Sequence, residues 1–146
     1  MIEILFIFIH FPNLFRREFS MSSSALFSRI DTVIVRVSNL KQSKTWFQEI
    51  LGLPVMHEDD RENLAVLGLE SGCSLTLWQI KDGEQVEERG KAQRSYPIFY
   101  SNDIQRIYQE LKNHHVSTTP LQGEEGDVRW FQFFDPDGNT FEVCQY

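Results

Sequence analysis

Residues 37–55 read VSNLKQSKTWFQEILGLPV, and their pattern dictates a strand end, a helix and a stop. Ser38-Asn39 places side-chain acceptors where a helix can begin. Leu40, Ser43, Trp46, Phe47, Ile50 and Leu51 then recur at helical spacing, which predicts one amphipathic helix over Leu40–Leu51. Gly52 ends it, because glycine takes the left-handed conformation at little steric cost. Upstream, IDTVIVRV (residues 30–37) alternates along a strand: Val33, Val35 and Val37 share one face, and Thr32, Ile34 and Arg36 share the other. Downstream, short strands are expected near residues 55–57, 64–69 and 74–80, with Ser71-Gly72 turning between the last two.

The same order then recurs. Residues 96–100 predict a short strand. Asn102-Asp103 starts a helix whose apolar stripe is Ile104, Ile107, Tyr108 and Leu111, and His114-His115 ends it. Residues 116–118 begin a further strand. Two more, over 128–134 and 140–145, are joined by Asp135-Pro136-Asp137-Gly138-Asn139, a run rich in turn chemistry. The halves overlay. Ser38-Asn39-Leu40 falls on Asn102-Asp103-Ile104 and Phe47 on Leu111 with a shift of 64, while Leu75 falls on Phe141 and Gln79 on Gln145 with a shift of 66. Such self-similarity predicts an α+β fold made of two βαβββ repeats, one over about residues 29–82 and one over about 95–146. The segment KDGEQVEERGKAQR (residues 81–94) has almost no apolar residues and reads as a solvated linker.

Composition narrows the function classes. A chain of 146 residues with a net charge of −7 offers no basic face for nucleic acid, and none for an anionic membrane. Its two cysteines, Cys73 and Cys144, are too far apart for a CxxC motif and read as small apolar residues in a reducing, cytoplasmic setting. Residues 1–20, MIEILFIFIHFPNLFRREFS, hold five of the twelve phenylalanines yet lack the flanks of a secretory signal. They form part of an extension over residues 1–28 that is expected to lie outside the fold. Translated upstream sequence with a functional start at Met21, an added packing segment and a degenerate targeting signal are its three readings. Deleting 1–20 removes Glu3, Glu18, Arg16 and Arg17, so the −7 belongs to the body.

Two motifs, VSNLKQSKTWFQEILGLPV (37–55) and FFDPDGNTFEV (133–143), set at this separation inside a duplicated frame, resemble the vicinal oxygen chelate superfamily of glyoxalase I, bleomycin-resistance proteins and extradiol dioxygenases. The resemblance covers about residues 29–146. It implies two curved half-barrels of four strands each around one cavity, and dimers are common among such proteins. It also implies four inward positions, usually His or Glu, that chelate a divalent ion. Carried onto this chain, those positions hold Thr32, Thr76, Tyr96 and Glu142. One carboxylate with two hydroxyls and a phenol suits such an ion poorly, so a metal is disfavoured and no cofactor is expected. None of His10, His57, His114 and His115 falls on a cavity position, and His57 is expected to end a peripheral strand.

What the resemblance implies for the cavity is an amphipathic wall of Thr32, Arg36, Thr76, Trp78, Tyr96, Tyr100 and Glu142, suited to a small organic ligand. In that frame Arg36 would hold an anionic group, and Trp78, Tyr96 and Tyr100 would stack on a ring. Competing readings stand beside these. Glu142 can pair with Arg36 or accept the hydroxyls of Tyr96 and Thr76 as a structural network, and the aromatics can be core filler. The expected function is a metal-independent binder like the bleomycin-resistance proteins, acting as a homodimer. Its alternatives are a glyoxalase-type lyase or isomerase with Glu142 as general base and Tyr96 as proton donor, and a dioxygenase with an atypical metal site.

Overall fold

The computed structural model of the protein describes residue 26 and residues 29–84 and 95–146. Almost all of the N-terminal extension, and the linker from residue 85 onward, therefore lie outside the described residues. The first repeat consists of strand β1 (Thr32–Val37), helix α1 (Leu40–Leu51) and strands β2 (Val55–Asp59), β3 (Leu64–Gly68) and β4 (Ser74–Gln79). The second consists of β5 (Ile98–Tyr100), α2 (Ile104–Asn113), β6 (Arg129–Phe134) and β7 (Thr140–Gln145). One sheet has the order β1-β4-β3-β2 and the other β5-β7-β6. In each, the opening strand runs parallel to the closing one and the rest is antiparallel. This is a mixed α+β fold.

The duplication is visible in individual hydrogen bonds. Asn39 and Asp103, 64 residues apart, cap their helices by accepting from the amides of Gln42 and Arg106. Gln79 and Gln145, 66 apart, close the same helix ends: the side-chain oxygen of Gln79 accepts from the Leu40 amide at 2.9 Å, and that of Gln145 from the Ile104 amide at 3.0 Å. Each cap satisfies a donor with no intrahelical partner and stabilises its helix by about 1 kcal/mol. Gly52, at φ 67°, ends α1 and returns its amide to Gln48 and Phe47.

The second sheet departs from the expected four strands. Residues 116–118 form no strand; Thr118 makes one isolated bridge to Phe133, and Gln122 another to Trp130. Val116 is buried, so its apolar side chain signals core packing, while Pro120 and the turn after Gln122 prevent a continuous ladder.

The helix-bearing faces of both sheets share one core. Val35, Val37, Leu67, Leu75 and Leu77 come from the first, Phe131, Phe133, Phe141 and Val143 from the second, with Phe47, Ile104 and Leu111 from the helices. Phe47 meets Phe141 edge-on at 5.7 Å, and Phe141 stacks on Phe133 at 5.2 Å. Each fully buried phenylalanine contributes roughly 1.5–3 kcal/mol by leaving water. The β6–β7 turn ties the repeats further: Asp137 accepts from the Ser38 amide at 3.0 Å, and the Asn139 side chain donates to the Arg36 carbonyl at 3.0 Å. Among the described residues no helix is long and apolar enough to cross a membrane.

Asp135 organises that turn. It is buried and accepts from the Asp137 and Asn139 amides and from the Asn139 side chain. Burial raises its carboxyl above the ordinary value, outweighing the bonds from Asn139 and Asp137 that lower it. The folded state thus holds this proton more tightly than the unfolded chain does. The stability it contributes is full below the ordinary carboxylate value and is lost as pH rises through the raised one. Urea unfolding of the native protein and of Asp135→Asn, followed from acid to neutral pH, should show the native protein's relative stability shrinking over that window. A constant difference would mean that Asp135 titrates like an exposed carboxylate.

Candidate functional site

The faces turned away from the core carry the candidate residues. Valines at 35 and 37 are buried against the helices, which leaves Thr32, Ile34 and Arg36 on the opposite face of β1. Register sets Ile34 beside Thr76 and Arg36 beside Trp78 on β4. On the second sheet Ile98 lies beside Glu142 and Tyr100 beside Cys144, and across β6 Gln132 lies beside Glu142 and Trp130 beside Cys144.

The four positions that correspond to the family's metal ligands are joined in two pairs. Thr32 Oγ1 and Thr76 Oγ1 are 2.8 Å apart, and Thr32 also donates to the Ser74 carbonyl at 3.3 Å. Because a threonine has one hydroxyl proton, that second bond makes Thr76 the donor within the pair. In the second repeat Tyr96 Oη donates to Glu142 Oε2 at 3.3 Å. The two pairs match under the internal repeat: 32 and 96 are 64 apart, 76 and 142 are 66 apart. Gln132 Nε2 gives Glu142 Oε2 a second donor at 3.3 Å. Two hydroxyls, a protonated phenol and one carboxylate do not fit a divalent ion, which wants charged or imidazole ligands to offset its dehydration. Among the described residues no group of three His, Cys, Asp or Glu side chains could hold a metal.

Arg36 lies where it was expected but its contacts are intramolecular. Its Nη2 meets Glu84 Oε2 at 2.6 Å and the Gln79 carbonyl at 3.3 Å, its Nε donates to the Trp78 carbonyl at 3.3 Å, and its guanidinium sits 5.0 Å from the Trp78 ring centroid. Glu84 in turn accepts from the Lys81 amide, which with Arg36 holds its carboxyl below the ordinary value. Glu142 therefore does not pair with Arg36, and Thr76 bonds Thr32 rather than Glu142. Among the described residues no hydrogen bond, ion pair or ring contact joins Thr32, Arg36, Thr76 or Trp78 to Tyr96, Tyr100 or Glu142.

His57 needs a correction. It sits mid-strand rather than at a strand end, and register places it beside Val66, which lies beside Thr76, on the candidate face. An irregularity between Val55 and His57 reverses the strand's phase; Glu58 then points to the helix side, where it binds Lys44 Nζ at 2.6 Å. Gln132 and Trp130 were also missed, although strand alternation in RWFQFF, residues 129–134, puts both on the Glu142 face. The cysteines are free and half-buried.

Of the candidate residues, Tyr100 lines one of two hollows among the described residues. A crevice of about 190 Å³ lies between the repeats, lined by core-side residues such as Leu53, Leu69, Phe99 and Phe133. A larger, open hollow of about 470 Å³ follows the outer face of α1. Neither includes Thr32, Thr76, Tyr96 or Glu142.

Residues 29–143 match the family model of the Glyoxalase/Bleomycin resistance protein/Dioxygenase superfamily. The chain belongs to this superfamily. Among its relatives, the metallothiol transferase FosB of Staphylococcus saprophyticus is 29% identical over 117 residues, covering 78% of this chain and 74% of that protein. The crystal structure of a glyoxalase family protein from Enterococcus faecalis shares the fold with a TM-score of 0.69 at 23% identity, covering 82% of this chain and 99% of that one. The fosfomycin resistance protein FosX of Listeria monocytogenes does so with 0.66 at 18%, covering 83% and 95%.

The pairing at Glu142 has a chemical signature. Burial, and then the Glu142 charge, raise the Cys144 thiol above its ordinary value. Burial, then the Glu142 charge and hydrogen bond, likewise raise Tyr96, which therefore keeps its proton. Removing the charge in Glu142→Gln should lower the Cys144 value, enlarge its thiolate fraction and speed its alkylation by iodoacetamide near pH 8. Mass spectrometry would follow Cys144 with Cys73 as internal control. An unchanged Cys144 rate would show that the thiol does not feel the carboxylate.

Proposed function

We propose that the protein is a metal-independent member of the superfamily that binds a small organic molecule on the faces bearing Thr32, Thr76, Tyr96 and Glu142. The observation that carries this reading is the hydroxyl pair. Thr32 and Thr76 spend their protons on each other and on the Ser74 carbonyl, so the first repeat offers neutral oxygens where a metal needs charge. The FosB relative is by name a metallothiol transferase; hydroxyls at two of the four positions argue against carrying its metal over.

The experiment is elemental analysis of purified protein beside a thermal-shift ligand screen with and without EDTA. The expected result is less than one transition metal per ten chains and ligand-induced shifts that EDTA leaves intact. A stoichiometric metal, or shifts abolished by EDTA, would overturn the reading.

The same faces support a homodimer. Ile34 is 52% exposed and Ile98 46%, and large apolar side chains left open on these faces gain by meeting a second copy. Light scattering should give twice the 17.2 kDa chain mass, and Ile34→Glu should shift the mass toward one copy. A native mass of 17.2 kDa at micromolar concentration would remove the dimer from the proposal.

One contact favours a second reading, a lyase or isomerase. Glu142 as base has a neutral, proton-retaining Tyr96 against it, which is an arrangement for moving a proton across a small substrate.

A further inference from the structure

The charges on the candidate faces are unequal. On the first sheet the Arg36 guanidinium is neutralised by Glu84 at 2.6 Å and covered by Trp78. On the outer strand of that sheet, Asp59 accepts from the Arg61 and Glu62 amides. On the second sheet the Glu142 carboxylate receives only neutral donors, from Tyr96 and Gln132, and both converge on Oε2. Among the described residues no cation pairs with Glu142, and its Oε1 carries no hydrogen bond. An acceptor of this kind, half-buried on a face that also carries a 53%-exposed tyrosine, is open to a donor from a ligand, and a charged donor satisfies it best.

The surroundings of Glu142 are aromatic. One register step along the strands, Tyr100 and Trp130 lie on either side of Cys144. Their backbones are two strand spacings apart, roughly 9.5 Å, and the residue between them is small. Strands at that spacing leave a ring-sized interval between the two positions, beside a thiol that burial keeps protonated. Tyr146 packs on Tyr100 at 5.0 Å and extends the wall. Aromatic faces attract cations through their quadrupole, so walls and carboxylate favour the same sign of ligand. The net charge of −7 acts in the same direction at longer range.

We propose that Glu142, held by Tyr96 and Gln132 and bordered by Tyr100 and Trp130, is a subsite for an organic cation, an aromatic molecule bearing an ammonium or amidinium group. The charged group sits on Oε1 of Glu142 and the ring between Tyr100 and Trp130. This rests on the ligand-binding reading above and gives it a substrate class. It also reverses the expectation that Arg36 would select an anion, since Arg36 already holds a carboxylate of its own chain.

The test compares three probes with the same ring, benzylamine, benzyl alcohol and benzoate, titrated into the full chain by calorimetry and by tryptophan fluorescence. Benzylamine should bind about tenfold or more tightly than benzyl alcohol, the difference expected of one charge-assisted hydrogen bond, with benzoate weakest. Added salt should shrink the preference. Glu142→Gln should abolish it and Glu142→Asp should keep it. Tyr100→Leu at the exposed wall gives a second arm that does not depend on the folding of Glu142→Gln: it should weaken all three probes while leaving their order unchanged. Tighter binding of benzoate, equal binding of all three, or a charge preference that survives in Glu142→Gln would each overturn the cation subsite. If none of the three binds while the thermal-shift screen finds other ligands, the subsite fails and the ligand-binding reading stands. If no ligand of any class binds, both fall.

Discussion

Phe47 meeting Phe141 edge-on is the contact on which the arrangement of the chain turns. A sheet of three or four short strands with a single helix cannot bury its apolar face alone. Each repeat here faces that problem, and each solves it with the other: α1 of the first repeat reaches β7 of the second, and Phe141 continues the stack through Phe133 to Phe99. The β6–β7 turn then ties the two repeats, with Asn139 bonded to the end of β1 and Asp137 to the junction between β1 and α1. Because the apolar faces are consumed in this joint core, the opposite faces are left to carry polar and aromatic side chains. The candidate site is a consequence of where the core had to be.

The turn makes that joint core conditional on a buried carboxylate. Asp135 serves three donors within four residues of chain, and burial works against its charge. The compensation is geometric: without those bonds the Asn139 side chain would lose the orientation that lets it reach the Arg36 carbonyl. A local turn preference in the sequence thereby becomes a long-range tie between two repeats.

Much of this was legible in the chain. The start and stop of α1 and the bounds of β7 follow from Asn39, Gly52 and the alternation of TFEVCQ. The repeat follows from pairs such as Gln79 and Gln145, whose shared role at helix N-termini the structure supplies. What was not legible depends on residues that act at a distance. Residues 116–118 look like a strand because Val116 is apolar, but apolarity alone does not distinguish a ladder from a loop that plugs the core. His57 was misplaced because one irregularity at Met56 reverses the strand's phase, and no periodicity shows an extra residue. The partner of Arg36 was hidden because Glu84 is 48 residues away in a charged segment that reads as solvent-facing.

The paired hydroxyls and the Tyr96–Glu142 pair together explain why the two halves of one duplicated frame differ chemically. In the first, Thr32 of β1 meets a residue two positions beyond its register partner Ser74; in the second, Tyr96, two residues ahead of β5, meets Glu142 of the closing strand. The parallel pairing of opening and closing strands is shared, and the side chains at these positions differ. Where both are threonines, the donors and acceptors cancel and leave a neutral surface. Where a tyrosine faces a glutamate, the phenol satisfies one oxygen and leaves the second with no protein donor. A positive partner would complement that oxygen best, and Arg36 is committed to Glu84 on its own sheet's side. The unequal chemistry of the repeats, set on the same strand pairing, is what gives the molecule a direction of polarity toward whatever it binds.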